Sequence, residues 1–263
     1  VWLGYTNGRT VNIMNVNGNN TIFIPGATSG LGLGLALRLQ AAGNTVIVGG
    51  RRTALLREIA SAHPGIDTVE IDTSDAESIS AAAATLTERH PALNTLITMA
   101  GIMEPENLLD PASIDVAERT ISVNLLGTIR LVHAFLPHLR VQPAATLMTV
   151  SSGLAFVPLP VTPTYNATKA AVHSFTESLR VQLTDTSVRV VELVPPAVQT
   201  TLMGQEDSPT AMPYDEFLDE VMSLLASQPD APEILVERVK WLRDATAEGR
   251  YDEVLGALSG RSH

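Results

Sequence analysis

From residue 21 onward, short runs of β-branched and apolar residues alternate with longer stretches whose apolar positions recur every three or four residues. Six runs, at 21–24, 45–48, 68–71, 96–99, 146–150 and 188–194, read as strands. Their near-continuous apolar character fits a parallel sheet covered on both faces. The stretches between them predict helices at 31–42, 53–62, 75–89, 113–139 and 165–184. Ser74-Asp75-Ala76-Glu77 reads as a capping box whose side chains satisfy the first orphan amides of the third helix. Alternation of this kind predicts an α/β fold, a doubly wound parallel sheet flanked by helices in a single domain. Ligands are then expected beyond the carboxyl ends of the strands.

The pattern changes at both ends. Residues 195–212 form a loop rich in proline, threonine and methionine, and helices are expected near 214–226, 234–247 and 251–258. We read 195–263 as a substrate lid and C-terminal helices belonging to the domain that starts at residue 21. Residues 1–20 carry many asparagines and glycines with no helical period, which predicts a disordered N-terminal extension. One reading makes Met14 the translation start, with 1–13 added ahead of it; the other is simply a floppy extension.

Composition narrows the function. The 263 residues suit one domain with a sizeable core, and 45% hydrophobic content excludes a disordered chain. No apolar run reads as long enough to span a bilayer. The absence of cysteine excludes disulfides, thiolate metal sites and a cysteine nucleophile. A net charge of −11 disfavours nucleic acid and anionic membrane surfaces as partners. Val1-Trp2-Leu3 does not open a signal peptide, so a cytoplasmic location is expected. The six histidines lack metal-ligand spacing and no metal site is predicted. Glu216, Asp219 and Glu220 read as the solvated face of a helix.

Two motifs carry chemistry. Gly26, Gly30 and Gly32, in Gly26-Ala27-Thr28-Ser29-Gly30-Leu31-Gly32, lie between the first strand and the first helix. Glycine there lets the backbone approach a pyrophosphate, and the helix start turns free amides and its positive dipole end toward the phosphates. The Gly-Lys-Ser/Thr ending of a nucleotide-triphosphatase loop is missing, so phosphoryl transfer has no support. About twenty residues on, where a dinucleotide fold reads the adenosine ribose, an NAD-preferring site wants a carboxylate. Here Gly50 occupies that slot and Arg51 and Arg52 follow, which suits a 2′-phosphate.

The second motif is Ser152 followed by Tyr165-Asn166-Ala167-Thr168-Lys169. Reducing a carbonyl requires a proton on oxygen, and a tyrosine can supply it, although its free pKa of about 10 is high. Residues four apart share a helix face, so Lys169 is expected beside the Tyr165 phenol, lowering that pKa. Ser152, at the end of the fifth strand, can hydrogen-bond the substrate oxygen.

Over about residues 20–200 the chain resembles the short-chain dehydrogenases/reductases of the compact, single-domain branch. The resemblance implies a Rossmann-type fold with Tyr165 as acid/base. Lys169 would bind the nicotinamide ribose and assist Tyr165, while Ser152 orients the carbonyl. It further implies Asn124 as the helix asparagine that holds a water of the proton relay, and Asp72 as the adenine contact. Cofactor contacts are implied for Thr28, Ser29 and Leu31, for Thr73, for Ala100 and Gly101, and for Pro195, Val198 and Thr200 of the nicotinamide loop. The tail, with Tyr214-Asp215-Glu216-Phe217 and Ile234-Leu235-Val236-Glu237-Arg238-Val239-Lys240, is similar to the DltE-like oxidoreductases.

Three departures from the family stand out. Thr98-Met99-Ala100-Gly101 replaces Asn-Asn-Ala-Gly, Pro196 replaces a glycine and Pro25 a threonine. The expected activity is hydride transfer between NADP(H), preferred over NAD(H), and a small carbonyl or alcohol. Met103, Gly153, Leu154, Ala155, Leu159, Met203 and Phe217 are expected to line an uncharged substrate cleft. A homodimer or homotetramer through the 113–139 and 165–184 helices is expected, because both are apolar on more than one face. Two other readings are a non-catalytic NADP sensor and an extended-branch epimerase or dehydratase. The complete proton relay weighs against the first, and the short stretch after Thr200 weighs against the second.

Overall fold

Parallel strands form one seven-stranded sheet in the order β3-β2-β1-β4-β5-β6-β7 in the computed structural model, which describes residues 18–260. The strands are β1 (Thr21–Pro25), β2 (Thr45–Gly50), β3 (Ile66–Glu70), β4 (Leu93–Thr98), β5 (Ala145–Val150), β6 (Val188–Leu193) and β7 (Glu233–Ile234). The helices are α1 (Gly30–Ala41), α2 (Thr53–Ala62), α3 (Ala76–Arg89), α4 (Ile114–Thr120), α5 (Gly127–Leu139), α6 (Pro163–Gln182), α7 (Tyr214–Ser227), α8 (Lys240–Arg243) and α9 (Tyr251–Leu258). Strand order reverses between β1 and β4, which opens a crevice at the carboxyl ends there.

Each face of the sheet has its own core, which explains why the strands read as continuously apolar. Ile22, Ile24, Val46 and Val48 pack with Leu35 and Leu39 of α1 and with Phe217, Leu218 and Val221 of α7. Alternate residues Phe23, Ile47, Leu147 and Val190 meet Ile79 and Leu86 of α3, Leu131 and Phe135 of α5, and Leu179 of α6. A third, smaller cluster of Val157, Leu242, Ala245 and Val254 ties α8 and α9 to the turn after β5.

The sequence reading needs several corrections. The helix expected at 234–247 is the short strand β7 paired with β6, then a 3-10 turn (Glu237–Val239) and α8. Ile234-Leu235-Val236 is too short an apolar run to distinguish strand from helix by periodicity. The helix at 113–139 is interrupted by a π-helical turn, Ile121–Leu126. Asp75, not Ser74, caps α3 by accepting from the Glu77 amide, while Ser74 Oγ donates to Asp72 at 2.7 Å. The stretch Pro111–Leu139 is long and apolar enough to cross a membrane by length and composition, contrary to the expectation for every apolar run. Its apolar side is committed to the sheet, with Leu131, Val132, Phe135 and Leu139 buried. Those residues therefore do not supply the free second face that suggested oligomerisation. Asn20, grouped by sequence with the extension, accepts at its carbonyl from Thr45 and bonds the Asn44 side chain. The translation-start reading of Met14 lies outside the described residues.

Thr98, at the end of β4, stands where the family has asparagine. Its hydroxyl is buried with no protein partner among the described residues. A buried unpaired hydroxyl costs about 1–3 kcal/mol. Thr98→Val is therefore expected to raise stability by about 1 kcal/mol in urea denaturation, with an unchanged m-value.

Candidate active site

The loop after β1 is held against β2, with the Gly26 and Ala27 amides both donating to the Gly49 carbonyl. Gly26 adopts φ +84°, and a Cβ added there would lie 2.5 Å from Ala100 Cα. Only glycine lets β1 turn this close to the end of β4. Ser29 caps α1 and Gly30 begins it, and a Cβ added at Gly30 would meet nothing within 4 Å, so the free amides of the helix start are open to an anion. Leu31 is half-buried and Gly32 buried against Ala27. Tyr214 of α7, which sequence reasoning missed, donates its hydroxyl to the Gly30 carbonyl at 2.9 Å and braces this loop.

Next to this loop, a Cβ on Gly50 would come within 2.5 Å of Thr28 Cγ2. A carboxylate therefore cannot occupy the end of β2 unless Thr28 moves. Arg52 lies over the loop instead, donating to Thr28 Oγ1 at 2.7 Å and Ser29 Oγ at 3.0 Å. Arg51 is largely exposed, 3.8 Å from Asp72. Burial pushes the Asp72 carboxyl up, but hydrogen bonds from Ser74 and the charge of Arg51 outweigh that and hold it below its usual value. Thr73 is buried, and its carbonyl packs against Gly127 at the start of α5.

At the carboxyl end of β5, Ser152 caps a 3-10 turn (Gly153–Ala155) by accepting from the Leu154 amide at 3.1 Å. Ser152 also faces the Tyr165 hydroxyl and favours its ionised form. Tyr165 and Lys169 occupy one face of α6, with Lys169 Nζ 5.6 Å from the ring centroid. That ammonium donates to the Val150 carbonyl at 2.8 Å. The start of α6 is fixed by Glu106, which accepts from the Thr164 amide (3.0 Å) and hydroxyl (2.6 Å). No sequence motif marks Glu106; only its burial reveals the role.

The electrostatics differ from the expectation. Burial pushes the Tyr165 phenol up to about 12, and Ser152 only partly offsets this. Burial likewise lowers Lys169 to about 8, against the opposing pull of Glu192. Desolvation is the dominant effect on the phenol, and Lys169 does not depress it here. The resting pair at neutral pH is a protonated phenol beside an ammonium.

Asn124 lies within the π-helical turn, a feature frequent at functional sites. Its Oδ1 accepts from the Ile102 amide (2.8 Å) and its Nδ2 donates to the Ile102 carbonyl (2.9 Å). The side chain thus clamps the loop after β4, while its backbone carbonyl accepts from the Thr128 hydroxyl at 2.8 Å. A Cβ on Gly101 would be 3.5 Å from Asn124 Oδ1 and 3.7 Å from Lys169 Nζ, so Ala100-Gly101 runs alongside the pair. Pro195, two residues beyond β6, accepts from the Gly153 amide at 2.9 Å, which joins the loop after β6 to the Ser152 turn.

The short chain dehydrogenase family model matches residues 20–211. The chain belongs to that family. It is 40% identical over 247 residues to the uncharacterized oxidoreductase DltE of Bacillus subtilis, covering 92% of this chain and 97% of that one. It is 35% identical over 189 residues to a sulfoacetaldehyde reductase of Chromohalobacter salexigens, covering 68% and 72% of the two chains. A Burkholderia cenocepacia short chain dehydrogenase solved in complex with NADP superposes with a TM-score of 0.79 at 28% identity, over 93% of this chain and 98% of that one. This short-chain dehydrogenase is thus a nicotinamide-dependent oxidoreductase of the DltE-like subgroup.

In this short-chain dehydrogenase the residues expected in the cleft are divided between the core, the turn capped by Ser152 and the loops. Phe217 is 1% exposed in the core between α7 and the sheet. Gly153 is buried against Leu242 and Val239, and Leu154 packs on the cluster of the C-terminal helices. Ala155 ends the 3-10 turn that Ser152 caps, Leu159 lies between that turn and α6, and Met103 is buried in the loop after β4. Val198 is buried and pairs with Met212, closing the base of a loop that carries Thr200 and Met203. Met203 sits at φ +58°, an uncommon conformation for methionine and a strained point in that loop.

Proposed function

We propose that the protein reduces a small carbonyl with NADPH, or runs the reverse oxidation, through Ser152, Tyr165 and Lys169, with Asn124 holding the relay loop. The observation that carries this is the convergence of a buried phenol, hydroxyl and ammonium on the crevice that the Gly26–Gly30 cradle opens. Ser152 holds the substrate oxygen, Tyr165 donates its proton to it, and Lys169 stabilises the phenolate left behind. Bound in the cradle, the dinucleotide supplies a hydride to the carbonyl carbon. Following NADPH absorbance with a panel of aldehydes and ketones tests the reading. Cofactor binding without turnover on any member would favour a sensor.

NADP(H) over NAD(H) is supported by the excluded carboxylate at Gly50 and by Arg51 and Arg52 beside it. A charge-assisted hydrogen bond contributes about 1.5–3 kcal/mol, roughly ten- to hundred-fold in affinity. Arg51→Ala and Arg52→Ala are each expected to lower the NADPH:NADH ratio of kcat/KM by about that factor. An unchanged ratio would reduce the arginines to surface charge.

An uncharged substrate, apolar around its carbonyl, is supported by the expected lining of Met103, Ala155, Leu159 and Met203, none of which carries a charge. Sulfoacetaldehyde, from the name of one relative, is the charged comparison; a preference for it over aliphatic aldehydes would overturn this. Association of two or four copies is supported by apolar residues exposed along α4 and the π turn, Ile114, Ile121 and Leu126, and by Leu108 and Leu109 ahead of them. A monomeric mass by light scattering at micromolar concentration would refute it.

A further inference from the structure

Tyr165 sits in the first turn of α6, where a helix is held least, because its leading amides have no carbonyl within the helix to meet. The local sequence does little to secure this turn. Thr162, in the capping position, turns its hydroxyl to the Leu159 carbonyl and the Asn166 side chain, each at 3.4 Å, and makes no side-chain cap among the described residues. Pro163 follows with no amide to offer, so Thr164 carries the first free N–H of the helix. Lys169 lies a full turn further in and is anchored independently, its ammonium donating to the Val150 carbonyl. Of the two groups, the phenol is the one whose backbone needs outside support.

That support comes from 58 residues away in the chain. The Glu106 carboxylate accepts from the Thr164 amide at 3.0 Å with one oxygen and from the Thr164 hydroxyl at 2.6 Å with the other. The Glu106 amide donates to the Val161 carbonyl at 2.9 Å, which ties the two backbones together as well. The carboxylate thus acts as an N-cap supplied by another segment, and its charge meets the positive end of the helix dipole. Glu106 is buried, so water competes little for these bonds. Its segment is held at the other end by Asn124, which engages both the amide and the carbonyl of Ile102. Between the two anchors Met103 is buried and Glu104 pairs with Arg119 of α4 at 2.9 Å. Residues 102–106 therefore form a strap from the asparagine of the π turn to the first turn of α6, and a strap fixed at both ends fixes what it joins.

We propose that Glu106 is a positioning residue of the reaction: through Thr164 it holds the first turn of α6, and with it the Tyr165 hydroxyl, where the substrate oxygen is protonated. The inference rests on the assignment of Tyr165 to the proton transfer. A reacting group misplaced by about 1 Å can lose about 10²-fold in rate, so a cap that never touches the substrate is enough to control turnover.

The test begins with Glu106→Ala, which removes both side-chain bonds. It is expected to lower kcat by about 10- to 100-fold, while the NADPH dissociation constant, set at the glycine loop, keeps its parental value. Glu106→Gln retains an oxygen for the Thr164 amide and an NH2 group that the Thr164 hydroxyl can accept from, and should recover most of the loss. Steady-state kinetics and NADPH fluorescence titration read both variants. The decisive readout is Glu106→Ala placed in Tyr165→Phe, where no phenol is left to position. There it should lower the residual turnover far less than it does in the parent. An equal factor in the two backgrounds overturns the proposal, as does a parental kcat in Glu106→Ala. If Glu106→Ala fails to fold, Thr164→Val takes its place. It deletes only the hydroxyl bond and should lower kcat with an unchanged NADPH dissociation constant, and Thr164→Ser should restore it; a parental kcat in Thr164→Val would likewise overturn the proposal. Near-native turnover in Tyr165→Phe alone would instead refute the assignment of the site.

Discussion

Tyr165→Phe is expected to fold, bind NADPH with parental affinity and lose about 10²–10⁴-fold in turnover, the usual contribution of a positioned proton donor. The ring is 8% exposed and packed, so phenylalanine keeps its contacts and loses only the hydroxyl. That hydroxyl is the group that meets Ser152, and burial holds its pKa at about 12. A phenol of that pKa is protonated throughout the physiological range. It is therefore a ready donor for reduction, and a base for oxidation only when a nearby positive charge lowers its pKa. The loss should accordingly appear in kcat with little change in the cofactor dissociation constant. Stopped-flow turnover together with NADPH fluorescence titration separates the two, and near-native turnover would remove Tyr165 from the chemistry.

The local patterns that could be read from sequence are those in which one residue type has one physical use. Gly26 was legible because a dinucleotide loop needs a residue with no Cβ, and the structure gives the reason, the approach of Ala100. Tyr165 and Lys169 were legible because a four-residue spacing on a helix fixes a common face. What could not be read depends on contacts between distant segments. Glu192 lies in a strand whose other residues, Arg189 apart, are apolar, and only its register with Glu233 and the approach of His173 give it a partner. Glu106 and Tyr214 are likewise ordinary in sequence; each brings a polar group across a long separation to fix α6 or the glycine loop. Phe217 was misplaced for the opposite reason. An aromatic residue on a lid-proximal helix can face the cleft or the core, and periodicity does not say which side the sheet is on. The π turn around Asn124 was not legible because the stretch is apolar on more than one face, and a shift of phase by one residue shows only against a single apolar stripe.

Lys169→Met is expected to reduce activity at least as severely as a lost charge-assisted hydrogen bond requires, about ten- to hundred-fold in kcat/KM, while making the cofactor-free protein more stable. The two effects have one origin. Burial pulls the folded-state pKa of Lys169 down to about 8 from 10.5, so the folded protein holds that proton more weakly than the unfolded chain does. Below about pH 8 lysine is charged in both states, and the shift of roughly two units corresponds to about 3 kcal/mol of lost stability. Between about pH 8 and 10 the folded form sheds the proton while the unfolded form keeps it, so stability rises with pH. Above about pH 10 Tyr165 reverses the trend, because its raised pKa makes the unfolded chain ionise first. Methionine fills the same volume without the charge but leaves the Val150 carbonyl without its donor, an opposing cost of about 1 kcal/mol or more. The net gain should be about 2 kcal/mol at pH 7. Urea unfolding of parent and variant from pH 6.5 to 10 measures this: the gap between them should narrow from about pH 8 upward. A gap that is absent, or constant with pH, would mean that the ammonium is solvated in the cofactor-free protein, and would leave its poor burial energy without a part in the chemistry.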